Sequence, residues 1–316
     1  MTLGVKRAVD EQQRQDLRRD FGRRIRFDEP LRRHTSFRIG GPADVWVEVV
    51  DATEIRRVQA YAAATGLPLF VLGGGTNVLV NDRGVRGIVL HPGSGLASVE
   101  WRQNGRGEHV RAGAALSLKR LAAESMNRHL SGLEFAEGIP GTLGGGLLMN
   151  AGAFGGEIAD VLETIEGIDA IGAPQRLPCS ELQAGYRRFD LARGFIVTHL
   201  ELRLRYGDPA AIEARRSEAR LKRRAHQPLG YPNAGSIFKN PPGQFAGRLI
   251  EQAGLKGMRQ GGAMVSGQHA NFIVNTGGAT AADVYDLMEK VTRCVLDMHG
   301  VRLEPEIRLV GEWSVP

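Results

Sequence analysis

The sequence is poor in cysteine and contains no metal-binding motif. Its 316 residues include only Cys179 and Cys294, which are far apart in the chain. Two cysteines are too few for a cysteine-rich zinc site, and they are typical of a reducing compartment. No HExxH motif occurs, and the eight histidines do not cluster at metal-ligand spacing. We therefore expect no metal site.

Long apolar runs are also absent. The longest fall well short of the roughly 20 residues that span a bilayer. The N-terminal stretch mixes acidic residues with arginines and has no apolar core, so it does not have the pattern of a signal peptide. We predict a cytoplasmic protein that does not insert into a membrane. With 42% hydrophobic and 24% charged residues, the chain has the composition of an ordinary globular protein large enough for two domains.

Positive charge is concentrated near the N-terminus. Residues 1–38 hold eleven Lys or Arg and six Asp or Glu, while the net charge of the whole chain is +6. An arginine-rich start could contact nucleic acid. Its mixed signs and few aromatic residues instead favour a solvated helix with Leu17, Phe21 and Ile25 as its apolar stripe. We predict no nucleic-acid partner.

The segment Gly138–Ile158 is rich in glycine. It holds eight glycines and one proline, and its apolar residues require burial. Glycine lets a backbone approach a ligand closely, and consecutive N–H groups in such turns can bind anions. Residues 140–142 predict the start of a short helix, whose N-terminus would attract phosphate. Taken alone, the segment fits a phosphate-binding cradle and tight helix-on-sheet packing about equally well.

A second glycine run favours the cofactor interpretation. The apolar strand predicted at 69–72 is followed directly by Gly73-Gly74-Gly75-Thr76-Asn77 and then by apolar residues 78–80. Neither run is a G-x-G-x-x-G motif that opens a helix, so the Rossmann fingerprint is absent. No glycine is followed by lysine, which excludes a P-loop. The phosphate site must therefore belong to a different fold.

The remaining pattern mixes helices with hairpins. Helices are predicted at 53–65, 117–129, 209–225, 245–253 and 281–299. Hairpins are predicted around Asn104-Gly105 and Gly172-Ala173, an alternating strand at 195–206 and a closing strand at 304–310. Hairpins beside a single βαβ unit indicate an α+β fold rather than a doubly wound sheet. A domain boundary is predicted near residue 207.

Five motifs together resemble one family. They are HTSFRIGGPADV (34–45), LGGGTNVLV (72–80), the run at 138–158, AGSIFKNP (234–241) and LEPEIRLVG (303–311). From about Pro30 to Gly311 their order is similar to that in the UDP-N-acetylenolpyruvoylglucosamine reductases. These FAD enzymes complete UDP-N-acetylmuramate for bacterial cell-wall synthesis. The short interval between Arg187 and Ser236 resembles the variant of the family that lacks the tyrosine-bearing capping loop.

The resemblance implies an architecture. It is a two-subdomain FAD-binding fold of the vanillyl-alcohol-oxidase type, followed by a smaller α+β substrate-binding domain. We assign residues 1–29 to an N-terminal helical extension, 30–90 and 91–207 to the two FAD-binding subdomains, and 208–316 to the substrate-binding domain.

The same resemblance implies which residues contact the cofactor. They lie in the loop after residue 34, in the first glycine run and in the 138–158 segment. The set is Arg38, Gly73, Gly74, Gly75, Thr76, Asn77, Ile139, Pro140, Gly141, Thr142, Gly145, Asn150, Ala151, Gly152, Gly156 and Ile158.

Three residues match catalytic positions of the family. The resemblance implies that Ser236 donates a proton, that Glu306 is the catalytic carboxylate and that Arg187 binds the enolpyruvyl carboxylate. From the sequence alone, Ser236 could be a turn residue and Glu306 could face solvent beside Arg308. The choice between Arg187 and Arg188 stays open, because Phe189 stands where the family usually has serine.

Four further positions match residues near the substrate. Lys239 and Asn240 align with substrate-binding residues, although Lys239 could be a plain surface charge. Tyr231 and His269 lie near matched motifs and could equally be structural.

The implied reaction uses NADPH and FAD to reduce UDP-N-acetylglucosamine enolpyruvate, and we expect a monomer. Two rivals are another FAD oxidoreductase of this fold and a nucleotide-binding regulator with a basic N-terminus. The C-terminal motifs argue against the first, and bound flavin would exclude the second.

Overall fold

A computed structural model describes residues 9–105 and 107–313. Within them the helices are α1 (Glu11–Phe21), α2 (Ala52–Thr65), α3 (Leu118–Asn127), α4 (Leu143–Leu148), α5 (Pro209–His226), α6 (Ala246–Gln252) and α7 (Ala281–His299). The first eight residues of the predicted N-terminal extension lie outside the described residues.

The strands range in length from 2 residues in β8 to 11 residues in β15. They are β1 (Ile25–Pro30), β2 (Pro42–Val49), β3 (Leu69–Val71), β4 (Val78–Val80), β5 (Val85–Pro92), β6 (Val99–Asn104), β7 (Gly107–Gly113), β8 (Leu130–Ser131), β9 (Gly152–Ala153), β10 (Gly156–Glu157), β11 (Leu162–Ile168), β12 (Pro174–Pro178), β13 (Gln183–Gly185), β14 (Arg188–Asp190), β15 (Ile196–Tyr206), β16 (Arg259–Gln260), β17 (Ala263–Val265), β18 (Ile273–Asn275) and β19 (Arg308–Val310).

The chain forms two compact units, each assembled from separate stretches. Unit 1 comprises Met1–Arg26, Val45–Gly74 and Gly87–Arg223, and unit 2 comprises Phe27–Asp44, Gly75–Arg86 and Arg224–Pro316. The sequence predicted consecutive ranges instead. Sequence patterns predict domains as consecutive ranges, whereas a compact unit can be assembled from stretches that are distant in the chain. The predicted assignment of ranges to FAD binding and to substrate binding stays a prediction.

The centre of unit 1 is an antiparallel sheet with the strand order β12-β11-β15-β7-β6, and β8 also pairs with β15. Apolar residues of β15, including Leu200 and Leu202, join those of α3 and α4 in one buried cluster. Arg203 on the opposite face is exposed. The predicted alternation of this strand is therefore confirmed, as is the hairpin at Asn104-Gly105 that connects β6 to β7.

The predicted βαβ unit is also present in unit 1. The Asp51 side chain accepts a hydrogen bond from the Glu54 N–H at the start of α2, and Gly66 ends that helix in a left-handed conformation. Strand β3 pairs in parallel with β5, as Leu69 opposite Ile88 shows. The first glycine run begins two residues after β3.

Unit 2 packs α7 against small sheets. Its buried stripe includes Val284, Leu287 and Val291, which belong to the same cluster as Ala263 and Val265 of β17. Strands β16, β17 and β18 form one sheet, and β19 pairs in parallel with β4. Gly300 ends α7 in a left-handed conformation, so the predicted bounds of this helix are confirmed.

Three local predictions were wrong. Ile25 begins β1 instead of continuing the N-terminal helix, because α1 ends at Phe21 and Gly22 follows with φ 56°. The predicted strand at 304–310 is restricted to β19, since Pro305 lacks an N–H and forms only an isolated bridge with Phe238. The apolar spacing along 281–299 predicts a buried position for Met298, yet Met298 is exposed.

None of the helices in the described part of the chain is both long and apolar enough to cross a bilayer. Nor, among residues 9–105 and 107–313, does any group of three or more His, Cys, Asp or Glu have an arrangement that could hold a metal ion.

The N-terminus of α7 provides a test of the fold. Thr280 and Asp283 form a reciprocal capping box, in which each side chain accepts a hydrogen bond from the other residue's N–H. Thr280→Ala removes one of these acceptors, and we expect the free energy of unfolding to fall by about 1 kcal/mol. Urea unfolding measures the loss. Glu289→Ala, at an exposed position of the same helix, is the control, and equal stability of the two variants would contradict the role of the cap.

Candidate functional site

The two glycine runs meet in unit 1. A Cβ on Gly74 would lie 2.7 Å from the Gly141 Cα atom, and one on Gly73 would lie 2.5 Å from Thr142 Oγ1. Any side chain at either position would therefore displace the neighbouring segment. Among the described residues, the N–H groups of Gly73 and Gly74 donate no hydrogen bond. This turn offers close backbone approach together with available donors.

The second run forms the predicted short helix. Thr142 is the N-cap of α4, and its Oγ1 accepts a hydrogen bond from the Gly145 N–H at 3.3 Å. The N–H groups of Leu143 and Gly144 donate to the carbonyls of Leu116 and Ala114. The helix start is thus largely satisfied within the protein. The sequence suggested an anion site at this N-terminus, whereas the available donors that we identify lie in the Gly73-Gly74 turn.

The rest of this segment forms a small hairpin whose glycines are tightly packed. A Cβ on Gly152 would lie 2.6 Å from the Gly156 carbonyl oxygen, and one on Gly156 would lie 3.0 Å from the Phe135 ring. Ile158 belongs to the core, and the Ala151 N–H donates to the Gly146 carbonyl. These contacts fix the path of the chain after α4.

The Asn150 side chain joins the end of β13 to the turn at Ile158–Asp160. The residue is fully buried, with its Nδ2 donating to the Gly185 carbonyl and its Oδ1 accepting from the Ala159 N–H. Its side-chain amide is therefore engaged within the protein, and only its backbone is left to approach a cofactor. That predicted contact stays a prediction.

Arg187 lies two residues after Gly185, whose carbonyl accepts the hydrogen bond from Asn150. It adopts a left-handed conformation with φ 57°, and its Nη1 donates to the Gly152 carbonyl at 3.0 Å. Its guanidinium also lies over the Tyr186 ring, 5.3 Å from the centroid. Arg188 is exposed and pairs with Asp190. Of the two arginines, Arg187 is the one held against a predicted cofactor segment, and Phe189 fills the core in place of the serine.

In unit 2, the loop after residue 34 is attached to the end of the first glycine run. The Ser36 N–H donates to the Gly75 carbonyl at 3.0 Å, and the Ser36 hydroxyl donates to the Asn233 carbonyl at 2.7 Å. Arg38 has φ 56°, and the carbonyl of Phe37 before it accepts a hydrogen bond from Asn275. This loop therefore connects the end of the first glycine run to the loop that precedes Ser236.

The segment that carries Ser236 is bonded to the segment that carries Glu306. The Glu306 N–H donates to the carbonyl of Ile237 at 2.7 Å, and the Asn77 side chain donates to the Glu306 carbonyl at 3.2 Å. The Arg308 N–H in turn donates to the Asn77 carbonyl at 3.0 Å. Two predicted catalytic residues and one predicted cofactor residue are thus fixed together through their backbones.

Lys239 continues this pairing. Its N–H donates to the Glu304 carbonyl at 2.9 Å, and its Nζ lies 3.4 Å from Glu304 Oε2. The Glu304 side chain is 75% exposed and the Lys239 side chain 38% exposed, so solvent screens the ion pair and it contributes little.

A cavity of about 450 Å³ in unit 2 includes Ser236, Asn240 and His269 in its lining. Asn240 Oδ1 accepts the Ala246 N–H at the start of α6, and His269 Nδ1 accepts the Asn271 N–H. Burial lowers the pKa of the His269 imidazole, and His226 and Lys256 lower that pKa further. His269 is therefore biased towards its neutral form. Tyr231 is exposed and does not belong to this lining.

Sequence reasoning missed several polar residues that share this cavity or the glycine segments. In unit 2 they include His226, Arg248 and Gln268. In unit 1 the Arg223 side chain packs at Gly138. The only sequence signal for Arg223 is the basic cluster at 215–224 on a predicted helix. This pattern favours a mostly solvated surface and leaves open that one of its members reaches a phosphate.

Two family models match the chain. Residues 43–177 match an FAD binding domain, and residues 227–310 match the C-terminal domain of UDP-N-acetylenolpyruvoylglucosamine reductase. The predicted α+β fold with an FAD-binding domain and a smaller C-terminal domain is confirmed, as is FAD as the cofactor.

Whole-chain relatives agree with these matches. UDP-N-acetylenolpyruvoylglucosamine reductase 2 of Symbiobacterium thermophilum is 50% identical over 94% of this chain and 96% of its own length. The reductase of Agathobacter rectalis is 43% identical over 90% and 94%. The crystal structure of the reductase from Thermus caldophilus has a TM-score of 0.77 and 38% identity, covering 89% of this chain and 97% of that one. The chain belongs to the UDP-N-acetylenolpyruvoylglucosamine reductase family.

Proposed function

We propose that this chain catalyses the NADPH-dependent, FAD-mediated reduction of UDP-N-acetylglucosamine enolpyruvate to UDP-N-acetylmuramate in peptidoglycan precursor synthesis. The observation that carries the proposal is the backbone pairing in unit 2. The Glu306 N–H is bonded to the residue after Ser236, and its carbonyl is bonded to Asn77 of the first glycine run. A proton donor, a carboxylate and a cofactor segment therefore share one small part of a chain that belongs to the reductase family.

The glycine segments fit a diphosphate-bearing cofactor. The Gly73-Gly74 turn has available N–H donors, and Gly74 is itself exposed. Gly145 is exposed as well, and a Cβ there would meet only Thr142 Oγ1, at 3.3 Å. We assign the cofactor contacts predicted from the sequence to these segments, with Asn150 and Ile158 supporting them from the interior. When bound, FAD supplies the hydride transfer from NADPH to C3 of the enolpyruvyl double bond, a step that side chains cannot perform.

The protein's own residues bind the substrate carboxylate, stabilise the negative charge that develops and donate the proton. Arg187 binds the enolpyruvyl carboxylate, because a planar guanidinium matches a carboxylate with two parallel hydrogen bonds. Negative charge develops at C2 and spreads into that carboxylate, so Arg187 stabilises the enol-like state by its positive charge. Glu306 stabilises the same state in its protonated form, in which the carboxyl group donates a hydrogen bond. Ser236 delivers the proton to C2. Lys239, Asn240, Tyr231 and His269 contribute to binding the UDP-sugar.

An alternative substrate for the same fold is less well supported. Another acid or alcohol would not need the paired segments around Ser236 and Glu306 in addition to the FAD-binding domain.

We assign residues 208–316 to substrate binding and residues 30–207 to FAD, with 1–29 as an extension. We further propose that the chain acts as a monomer in the cytoplasm, in keeping with the free thiols of Cys179 and Cys294.

Two glycine variants separate packing from cofactor binding. Gly74→Ala places a Cβ against the Gly141 backbone, so we expect loss of flavin together with a fall of about 1–3 kcal/mol in the free energy of unfolding. Gly145→Val meets little protein, so we expect a folded chain with little flavin. Visible absorbance and urea unfolding of the purified proteins measure the two effects. Full flavin content in folded Gly145→Val would remove Gly145 from the cofactor site.

Ser236 is tested by measuring the two half-reactions separately. Ser236→Ala removes the proposed proton donor and leaves the encounter with NADPH untouched. We expect flavin reduction by NADPH at nearly the normal rate, and reoxidation by the enolpyruvyl substrate slowed by about 10²–10⁴-fold. Anaerobic stopped-flow absorbance follows both steps. Ser236→Cys should retain part of the activity because a thiol can also donate. Normal reoxidation in the alanine variant would exclude Ser236 as the donor.

A further inference from the structure

Helix α5 holds a buried carboxylate of unit 1. Glu137 is only 7% exposed, yet it carries a charged side chain. The Arg216 Nε donates to Glu137 Oε2 at 3.2 Å, and the Arg220 Nε lies 3.6 Å from Oε1. A buried carboxylate is costly unless it is paired and hydrogen-bonded. The conformation of residue 137 therefore depends on α5.

A second buried carboxylate nearby is held in a similar way. Glu134 accepts hydrogen bonds from the Ser131 hydroxyl at 2.8 Å and from the Gly132 N–H at 2.7 Å, and Arg215 on α5 lies 3.1 Å from it. Glu134–Ala136 is a single turn of 3₁₀ helix. This turn is therefore anchored to α5 through Glu134 and again through Glu137, which follows its last residue.

The anchored turn leads directly into the second glycine run. Gly138 has φ 75°, and a Cβ there would lie 3.0 Å from the Arg223 Cδ atom. The guanidinium of Arg223 lies 5.6 Å from the centroid of the Phe154 ring, in the turn between β9 and β10. Helix α5 thus contacts both the start of the run and the hairpin after α4, which are the two parts assigned to the cofactor.

This helix has no place in either matched domain. Residues 43–177 match the FAD binding domain and residues 227–310 match the C-terminal domain, whereas α5 lies between them in the chain. The sequence pattern indicated a mostly solvated basic helix. Its arginines at 216, 220 and 223 instead lie against unit 1, where their contacts are with Glu137, Gly138 and Phe154.

We propose that Arg216 and Arg220 are positioning residues for the FAD site. By pairing with Glu137, they hold the 137–142 backbone in the conformation that binds the cofactor. This inference rests on the proposed function, since it takes that backbone to be part of the cofactor site. Without the guanidinium groups, the Glu137 carboxylate gains hydration by moving outward, and the turn moves with it. FAD binding must then restore the original turn, so the affinity for FAD falls.

The test is a titration of the full-length apoprotein with FAD, followed by quenching of flavin fluorescence. We expect Arg216→Ala and Glu137→Gln each to raise the dissociation constant by about tenfold, because each leaves a buried polar group without its partner. Two exposed sites on the same helix supply the controls. Arg224→Ala removes a positive charge and Glu218→Gln removes a negative one, and neither should change the dissociation constant by more than about twofold.

A double-variant cycle separates positioning from general damage. If the two residues act as a pair, Arg216→Ala combined with Glu137→Gln should weaken FAD binding by no more than about the larger single effect. Arg216→Lys should recover part of the affinity, because it keeps the charge but not the planar fork. Visible circular dichroism of the bound flavin should change in the alanine variant and recover in the lysine variant.

Three results would overturn the inference. Unchanged affinity in both single variants would show that the pair merely attaches α5 to unit 1. Fully additive losses in the double variant would show that the residues do not act through each other. If the wild-type chain bound no FAD, the proposed function would be wrong and this inference with it. In the first two results the wild-type chain does bind FAD, so they contradict only the inference.

Discussion

The architecture of unit 1 depends on a close approach of two backbones. The turn at Gly73-Gly74 lies so near Gly141 and Thr142 that a Cβ on Gly74 would come within 2.7 Å of the Gly141 Cα atom. That approach fixes the end of β3 against the start of α4. It also leaves the N–H groups of the turn available while those at the start of α4 are engaged. Tight packing and cofactor binding are therefore compatible explanations of the same glycines.

Unit 2 uses backbone pairing to place its chemistry. Ser236, Lys239 and Glu306 lie on two segments that meet through N–H···O=C bonds and through the ion pair of Lys239 with Glu304. The N–H···O=C bonds use backbone groups, and the proposed chemistry belongs to the side chains of Ser236 and Glu306. The parallel pairing of β19 with β4 connects the same region to the first glycine run. The residues that follow Ser236 and Glu306, Ile237 and Ile307, are buried in the core of this unit, which fixes the backbone of both segments.

Charge is arranged differently in the two units. In unit 2 the ion pair of Lys239 with Glu304 is partly exposed, so water screens it. In unit 1 the Glu137 carboxylate is buried, and removal of its arginine partners would leave an uncompensated charge. A pair of a basic residue with a glutamate thus contributes little at Glu304, whereas at Glu137 it fixes the conformation of the buried carboxylate. Burial decides which role applies.

The sequence by itself determined the features that depend on residue type and local spacing. The glycine runs, the helix ends at Gly66 and Gly300 and the ordered motifs were sufficient for the α+β class, the family and FAD. These signals are local, because a left-handed helix end or a close backbone approach requires particular residues at particular positions. The list of candidate site residues came from the same motifs, and their individual contacts remain predictions.

Only the tertiary structure decided which distant groups meet. It joined Ile237 to Glu306 and Glu137 to Arg216, and it placed Ile25 in a strand. It placed the Arg187 guanidinium against the Gly152 carbonyl and Arg188 on the surface beside Asp190. Partners far apart in the chain leave no periodic trace in the sequence, and burial depends on everything that packs around a residue. For that reason the arginines of α5 looked like a solvated surface in the sequence, although in the folded protein they hold a buried carboxylate.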